Sequence, residues 1–156
     1  MKIFRIAKKE FIRDISGEGA RLYGGRWNRK GSSVLYTSES RSLATVEYLV
    51  HLPMSISPKD VCIAEIEIEG TFETKTMEIG DLPENWMNYP APHALTEIGE
   101  EWKKRGSELV MRVPSVVVRN EWNYLLNPSH TDFKNVRVLS VEEYVFDVRL
   151  LRSSAS

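Results

Sequence analysis

The alternation of apolar and polar side chains divides the chain into short strands and two helices. Ile3 to Ala7 is an apolar run broken by one charge, Arg5, and predicts a strand. Ser33 to Thr37 predicts a second. Ser40 is placed to cap a helix that runs to about His51, where Pro53 stops it. Val61 to Glu69 alternates strictly: Cys62, Ala64, Ile66 and Ile68 face one way, and Glu65, Glu67 and Glu69 the other. The proline-rich stretch 80–93 reads as a long loop. A helix over 94–105 follows, with Leu95, Ile98 and Trp102 on one face and Gly106 at its end. Leu109–Val113 and Ser115–Val118 read as strands separated by Pro114. Asn127 to His130 reads as a turn, and Val136–Leu139 and Tyr144–Leu150 as closing strands. Strands outnumber helices and do not alternate with them, which predicts an α+β fold with mixed or antiparallel sheets and a few short helices.

Two features break the pattern. On the 40–51 helix, Leu43, Val46 and Val50 make an apolar stripe, and Glu47 lies within it, one turn after Leu43. A carboxylate there must be paired, protonated or aimed into a polar cleft. An ion pair with an arginine and a catalytic or binding role in a pocket both satisfy that demand. The second feature is the segment 14–32, with five glycines among charged and aromatic residues. Paired Gly24 and Gly25 let the backbone approach a ligand, and Arg26 after them can fork onto a phosphate. It is not a dinucleotide fingerprint, since Leu22 stands where a third glycine belongs, and no Gly-Lys-Ser/Thr follows. A plain glycine-rich turn remains the alternative.

Length and composition narrow the field. A chain of 156 residues is expected to form one domain, here 1–152, with Ser153–Ser156 as a loose tail. Net charge is −1, without the basic excess of a general nucleic-acid binder. Yet residues 1–59 carry a balance of +6 and residues 60–101 a balance of −10. This split suggests an anionic ligand near the first segment and a basic partner near the second, or only solvated faces. The N-terminus does not read as a signal peptide and no apolar run reaches the ~18 residues of a membrane span, so a cytoplasmic location is expected. Cys62 is the only cysteine, which leaves no internal disulfide and no cysteine-based zinc site. His51, His93 and His130 lack metal-ligand spacing, and no metal is expected. Ser115 has no nucleophile-elbow glycines. Trp86, Trp102 and Trp122 read as core or loop anchors.

Several segments in series resemble the RES domain family: Gly24-Gly25-Arg26-Trp27-Asn28, Val34 to Ser40, Leu43 to His51, Val113-Pro114-Ser115, and Asn123 to His130. The resemblance covers nearly the whole chain in order. It implies a fold similar to the ADP-ribosyltransferases and a toxin of a bacterial toxin–antitoxin pair. Such toxins attack NAD⁺ by hydrolysis or phosphorolysis, or transfer its ADP-ribose to a protein, and cause growth arrest. The implied catalytic residues are Arg26, Tyr36, Glu47 and Ser115, the serine being placed at Ser115 rather than Ser129 by the Pro-Ser step. The implied NAD⁺ contacts are Gly25, Arg26, Asn28, Tyr36, His51 and Ser115. No true cofactor is implied, with NAD⁺ as substrate and inorganic phosphate as co-substrate where phosphorolysis is the route. The implied partner is an Xre-type helix-turn-helix antitoxin, in a homodimer or larger complex, without DNA binding by this chain.

The chemistry suits the residues. Breaking the nicotinamide–ribose bond builds positive charge on the ribose, which a fixed carboxylate stabilises, and Glu47 is placed in that role. Arg26 suits the pyrophosphate, Tyr36 the nicotinamide ring and Ser115 a phosphate or ribose oxygen. Competing expectations are a nucleotide-binding module without turnover, a DNA-associated protein, and, within the enzymes, a mono-ADP-ribosyltransferase that modifies a protein.

Overall fold

The computed structural model describes residues 1–53 and 57–151; the expected tail Ser153–Ser156 lies outside them. In chain order the elements are β1 (Lys2–Lys8), α1 (Glu18–Tyr23), β2 (Leu35–Ser38), α2 (Arg41–Val50), β3 (Val61–Ile68), β4 (Thr74–Thr76), α3 (His93–Arg105), β5 (Val110–Pro114), β6 (Trp122–Leu126) and β7 (Val136–Glu143). The seven strands form one sheet in the order β4-β5-β6-β2-β1-β3-β7. Every pair is antiparallel except β4 with β5. The fold is α+β, as the pattern predicts.

Alternation in β3 decides the layers. Cys62, Ala64, Ile66 and Ile68 join Ile3, Leu35, Leu126 and Val136 in one buried cluster, closed over by Ile12, Ile15, Phe72 and Phe133. On the opposite face Val61 and Ile63 are buried too, because α2 and Phe146 cover them. The cover stops there, and the rest of that side of β3 and the residue after it are charged: Glu65 pairs with Lys2, and Glu67 and Glu69 with Arg137. Part of the acidic segment is thus neutralised within the sheet. Helix α3 lies on the same face as α2, further along, with Leu95 and Trp102 buried on Met111, Val113 and Leu125. Between the two helices the sheet face stays open.

Local signals explain most boundaries. The Ser40 side chain accepts the Leu43 N–H at 3.0 Å and starts α2, while Gly106 in the left-handed region ends α3. Several expectations need correction. The glycine-rich segment contains the short helix α1. Ser115–Val118 is not a strand: the Ser115 hydroxyl accepts the N–H groups of Val117 and Val118, a local turn that competes with sheet pairing. The last strand continues to Glu143, with a bulge at Leu139 that shifts its register on β3. Tyr144–Leu150 leaves the sheet, so that Phe146 can pack on Tyr48 at 5.8 Å between ring centres. Strands β4 and β6 add to the elements expected from the sequence pattern. On α2 the buried residues are Leu43, Ala44 and Thr45, whereas Val50 is exposed. The helix packs on β1 through Ala44 and Tyr48, so Glu47 stands at the edge of the buried face rather than in its middle.

Candidate active site

The open sheet face between α2 and the loop before β2 is a cleft of about 480 Å³. That lies within the usual range of small-molecule sites, roughly 300–1,000 Å³. It opens where β1 and β2 part, since the two strands share only the pair Phe4↔Ser38. Gly25, Arg26, Tyr36, Glu47 and His51 line it. Asn28 and Ser115 stand behind its wall, each 2% exposed.

Glu47 is the most constrained group. Its Oε1 accepts the Ser115 hydroxyl at 2.7 Å and the Asn123 amide at 2.6 Å. Ser115 arrives from the end of β5 and Asn123 from β6, so two strands and a helix converge on one oxygen. Its Oε2 has no hydrogen-bond partner among the described residues, and the Glu47 side chain lines the cleft. Among the described residues Glu47 has no arginine partner in an ion pair; neutral donors hold its carboxylate at the cleft.

Arg26 faces it from the glycine-rich loop. One guanidinium nitrogen donates to the carbonyls of Trp86 (2.9 Å) and Asn88 (3.1 Å) in the proline-rich loop. Burial pulls the guanidinium below its ordinary value, and the negative charge of Glu47 works against that shift. An arginine stays protonated regardless. The remaining N–H groups are not engaged by the described residues.

The loop that presents Arg26 is fixed by α3. Thr96 donates to the Arg26 carbonyl at 3.4 Å, Glu100 accepts the Arg29 N–H at 2.9 Å, and Lys103 reaches Ser32 and the Ser33 carbonyl. These residues recur every three or four positions, on one edge of the helix. Gly99 lies on the same edge, where a Cβ would sit 1.7 Å from the Trp27 carbonyl oxygen. Only glycine lets the loop lie that close. A Cβ at Gly25 would come within 2.7 Å of the Tyr36 hydroxyl and 2.8 Å of Asn28.

Tyr36 donates to Asn28 Oδ1 at 2.7 Å and accepts the Trp27 N–H at 3.2 Å. Burial raises its phenol well above the ordinary value, so it is neutral. The Asn28 amide donates to the carbonyls of Ala20, Arg29 and Ser32. Asn28 thus shapes the loop with every polar atom occupied. His51 is exposed at the end of α2, on the cleft rim.

Two cleft residues escaped the sequence reading. Asn123 sits in the unpredicted β6. Tyr48 lines the wall beside Glu47. Arg5 meets the cleft only along the strand: its side chain shares the opposite face with Ile3 and Ala7 and donates to the carbonyls of Phe11, Ile12 and Asp14, with 2.6 Å to the last.

Among the described residues no three metal-ligating side chains converge. No helix of the described residues is long and apolar enough to cross a membrane.

Comparisons with known proteins place the chain among its relatives. The model of the RES domain family matches residues 2–147. A protein of Yersinia enterocolitica called Toxin Res is 39% identical over 155 residues, covering 96% of this chain and 99% of that protein. A protein of Sphingobium sp. called Prs ADP-ribosylating toxin is 35% identical over 143 residues, covering 90% and 89%. Among solved structures, a chain of the M. tuberculosis MbcT–MbcA toxin–antitoxin complex superposes with a TM-score of 0.70 at 14% identity, over 90% of this chain and 82% of that one. At that identity the likeness is one of fold.

Proposed function

The chain belongs to the RES domain family, and from that membership we propose that it is the toxin of a bacterial toxin–antitoxin pair and consumes NAD⁺ by breaking its nicotinamide–ribose bond. The observation that carries the proposal is the state of Glu47: one carboxylate oxygen held by Ser115 and Asn123, the other free in a cleft that Arg26 shares.

In this mechanism the pyrophosphate lies against the free N–H groups of Arg26 and the backbone at Gly25, which Tyr36 and Asn28 hold in shape. The ribose next to nicotinamide lies against Glu47 Oε2. The C1′–N bond breaks, and its electron pair leaves with nicotinamide as a neutral base. The positive charge that develops on C1′ and the ring oxygen faces a carboxylate fixed in place by Ser115 and Asn123. Water or phosphate then bonds to C1′. An attacking water must lose a proton, and Glu47 Oε2 is the base in reach. Phosphate already carries negative charge and needs no base. His51 on the rim and Ser115 behind Glu47 complete the site.

A second reading is favoured by one observation, the name of the Sphingobium relative. In it a side chain of a target protein attacks C1′ and carries away the ADP-ribose. The partner proposed in either case is an antitoxin of the Xre helix-turn-helix type.

Purified protein mixed with NAD⁺, with and without phosphate, tests the proposal. Release of nicotinamide with ADP-ribose signals hydrolysis, and with a phosphorylated ADP-ribose, phosphorolysis. Nicotinamide released only when a target protein is added supports the second reading. No release under any of these conditions refutes both.

A further inference from the structure

We infer that Asn123, with Ser38 behind it, is a positioning residue that selects which oxygen of Glu47 works; the inference rests on the NAD⁺-cleaving role proposed above. Ser38 and Asn123 are direct partners in the register of β2 on β6 and share the cleft face. The Ser38 hydroxyl donates to Asn123 Oδ1 at 2.7 Å, and Asn123 Nδ2 donates to Glu47 Oε1 at 2.6 Å.

The direction of this relay is forced. A flipped amide would set its oxygen 2.6 Å from a carboxylate oxygen, acceptor against acceptor. Ser115 is forced as well: it accepts the Val117 and Val118 N–H groups, at 3.1 and 3.0 Å, so its one proton points to Glu47. Two donors from two strands therefore meet on Oε1. A carboxylate gripped at one oxygen from two directions cannot rotate, and Oε2 is left as the oxygen presented to the ribose. The Ser38 bond keeps the Asn123 amide from turning over. Nothing in β6 demands asparagine for packing at this position: the same face carries Leu125 next to it, which is fully buried.

The test compares Asn123→Asp, Asn123→Ala and Ser38→Ala with wild type in nicotinamide release, across pH. Asn123→Asp keeps size and can keep the Ser38 bond, but sets an acceptor against Oε1. At neutral pH its kcat is expected to fall about 100-fold, while KM changes less than about threefold, because the loss is one of charge placement rather than of binding. Activity should rise again as pH falls towards about 5, where the two facing carboxyl groups share a proton and the new side chain can donate. Asn123→Ala should lose kcat about as much, with no recovery in acid. Ser38→Ala should lose roughly tenfold. Wild-type kcat and pH profile in Asn123→Asp overturns the inference. So does a loss independent of pH that tracks a lower melting temperature. If wild type releases no nicotinamide, the NAD⁺ reading fails, and the relay is read separately by carbon-13 NMR of the Glu47 carboxyl. Its resonance at neutral pH should move in Asn123→Asp and in Ser38→Ala, since the bond to Oε1 is lost or weakened in each; an unchanged resonance in both overturns the relay.

Discussion

The Ser115 hydroxyl lies 2.7 Å from Glu47 Oε1 and donates a hydrogen bond to it, because the lone pairs of that hydroxyl are taken by two backbone N–H groups of its own turn. One side chain thus ends β5, shapes the turn after it and grips the candidate catalytic carboxylate. Ser115→Ala removes all three functions. It should cost about 1–3 kcal/mol of stability from buried N–H groups left unpaired, and lower nicotinamide release at least about tenfold. Denaturant unfolding beside the activity assay checks both. Loss of activity at unchanged stability would show that the turn does not need the hydroxyl.

Arg26 is tied at one nitrogen to the proline-rich loop, which leaves the other N–H groups for an anion. Arg26→Lys keeps the charge and loses the fork. Its KM for NAD⁺ is expected to rise about 10- to 100-fold, with a smaller change in kcat. Steady-state kinetics separates the two. A kcat loss at constant KM would move Arg26 from binding to chemistry.

Gly99 has no part in the chemistry, yet its place on α3 sets the loop that presents Arg26. Gly99→Ala puts a methyl group where the Trp27 carbonyl lies. The loop must retreat, at a cost of about 1–3 kcal/mol, and KM should rise with it. A melting curve and a KM measurement on the same preparation check this; wild-type values in both would contradict the packing described.

Tyr36 gives a pH dependence whose sign is fixed. Burial raises its ionisation in the folded protein above the ordinary value of 10.0. Stability contributed by the neutral phenol is therefore complete below pH 10 or so and is lost as pH climbs towards the folded value. Tyr36→Phe should lose about 1–3 kcal/mol at neutral pH, since the Trp27 N–H and Asn28 Oδ1 lose their partner. It should also show a shallower loss of stability above pH 10 than wild type. Equal slopes in urea unfolding at pH 9 to 11 would contradict the burial of the phenol.

The site was legible wherever a residue broke a local pattern. Glu47 interrupts an apolar helix face and lies on the cleft, whereas Arg5, the lone charge in an apolar strand, turns to the other face and ties the segment after β1. Ser40 is a side-chain cap that acts within three residues, so the start of α2 was plain. What escaped depends on contacts distant in sequence. Asn123 reaches Glu47 across 76 positions, and Arg26 meets the Trp86 carbonyl across 60. Strand β6 reads Trp-Asn-Tyr-Leu-Leu, with no clean alternation, because Asn123 and Leu125 share the cleft face for different reasons. Val50 misled for a related cause: its spacing fits a stripe, but the helix packs through Ala44 and Tyr48 and ends in solvent. The RES-like series carried what periodicity could not, the order in which these pieces meet.

The most direct measurement is nicotinamide release from NAD⁺ by wild type beside Glu47→Gln, each shown to be folded by its melting curve. Gln keeps the size of Glu47 and removes its negative charge. The expected result is release by wild type and a fall of about 100-fold or more in the variant, with binding of NAD⁺ retained. Equal release by a folded Glu47→Gln protein would contradict the central role of this carboxylate.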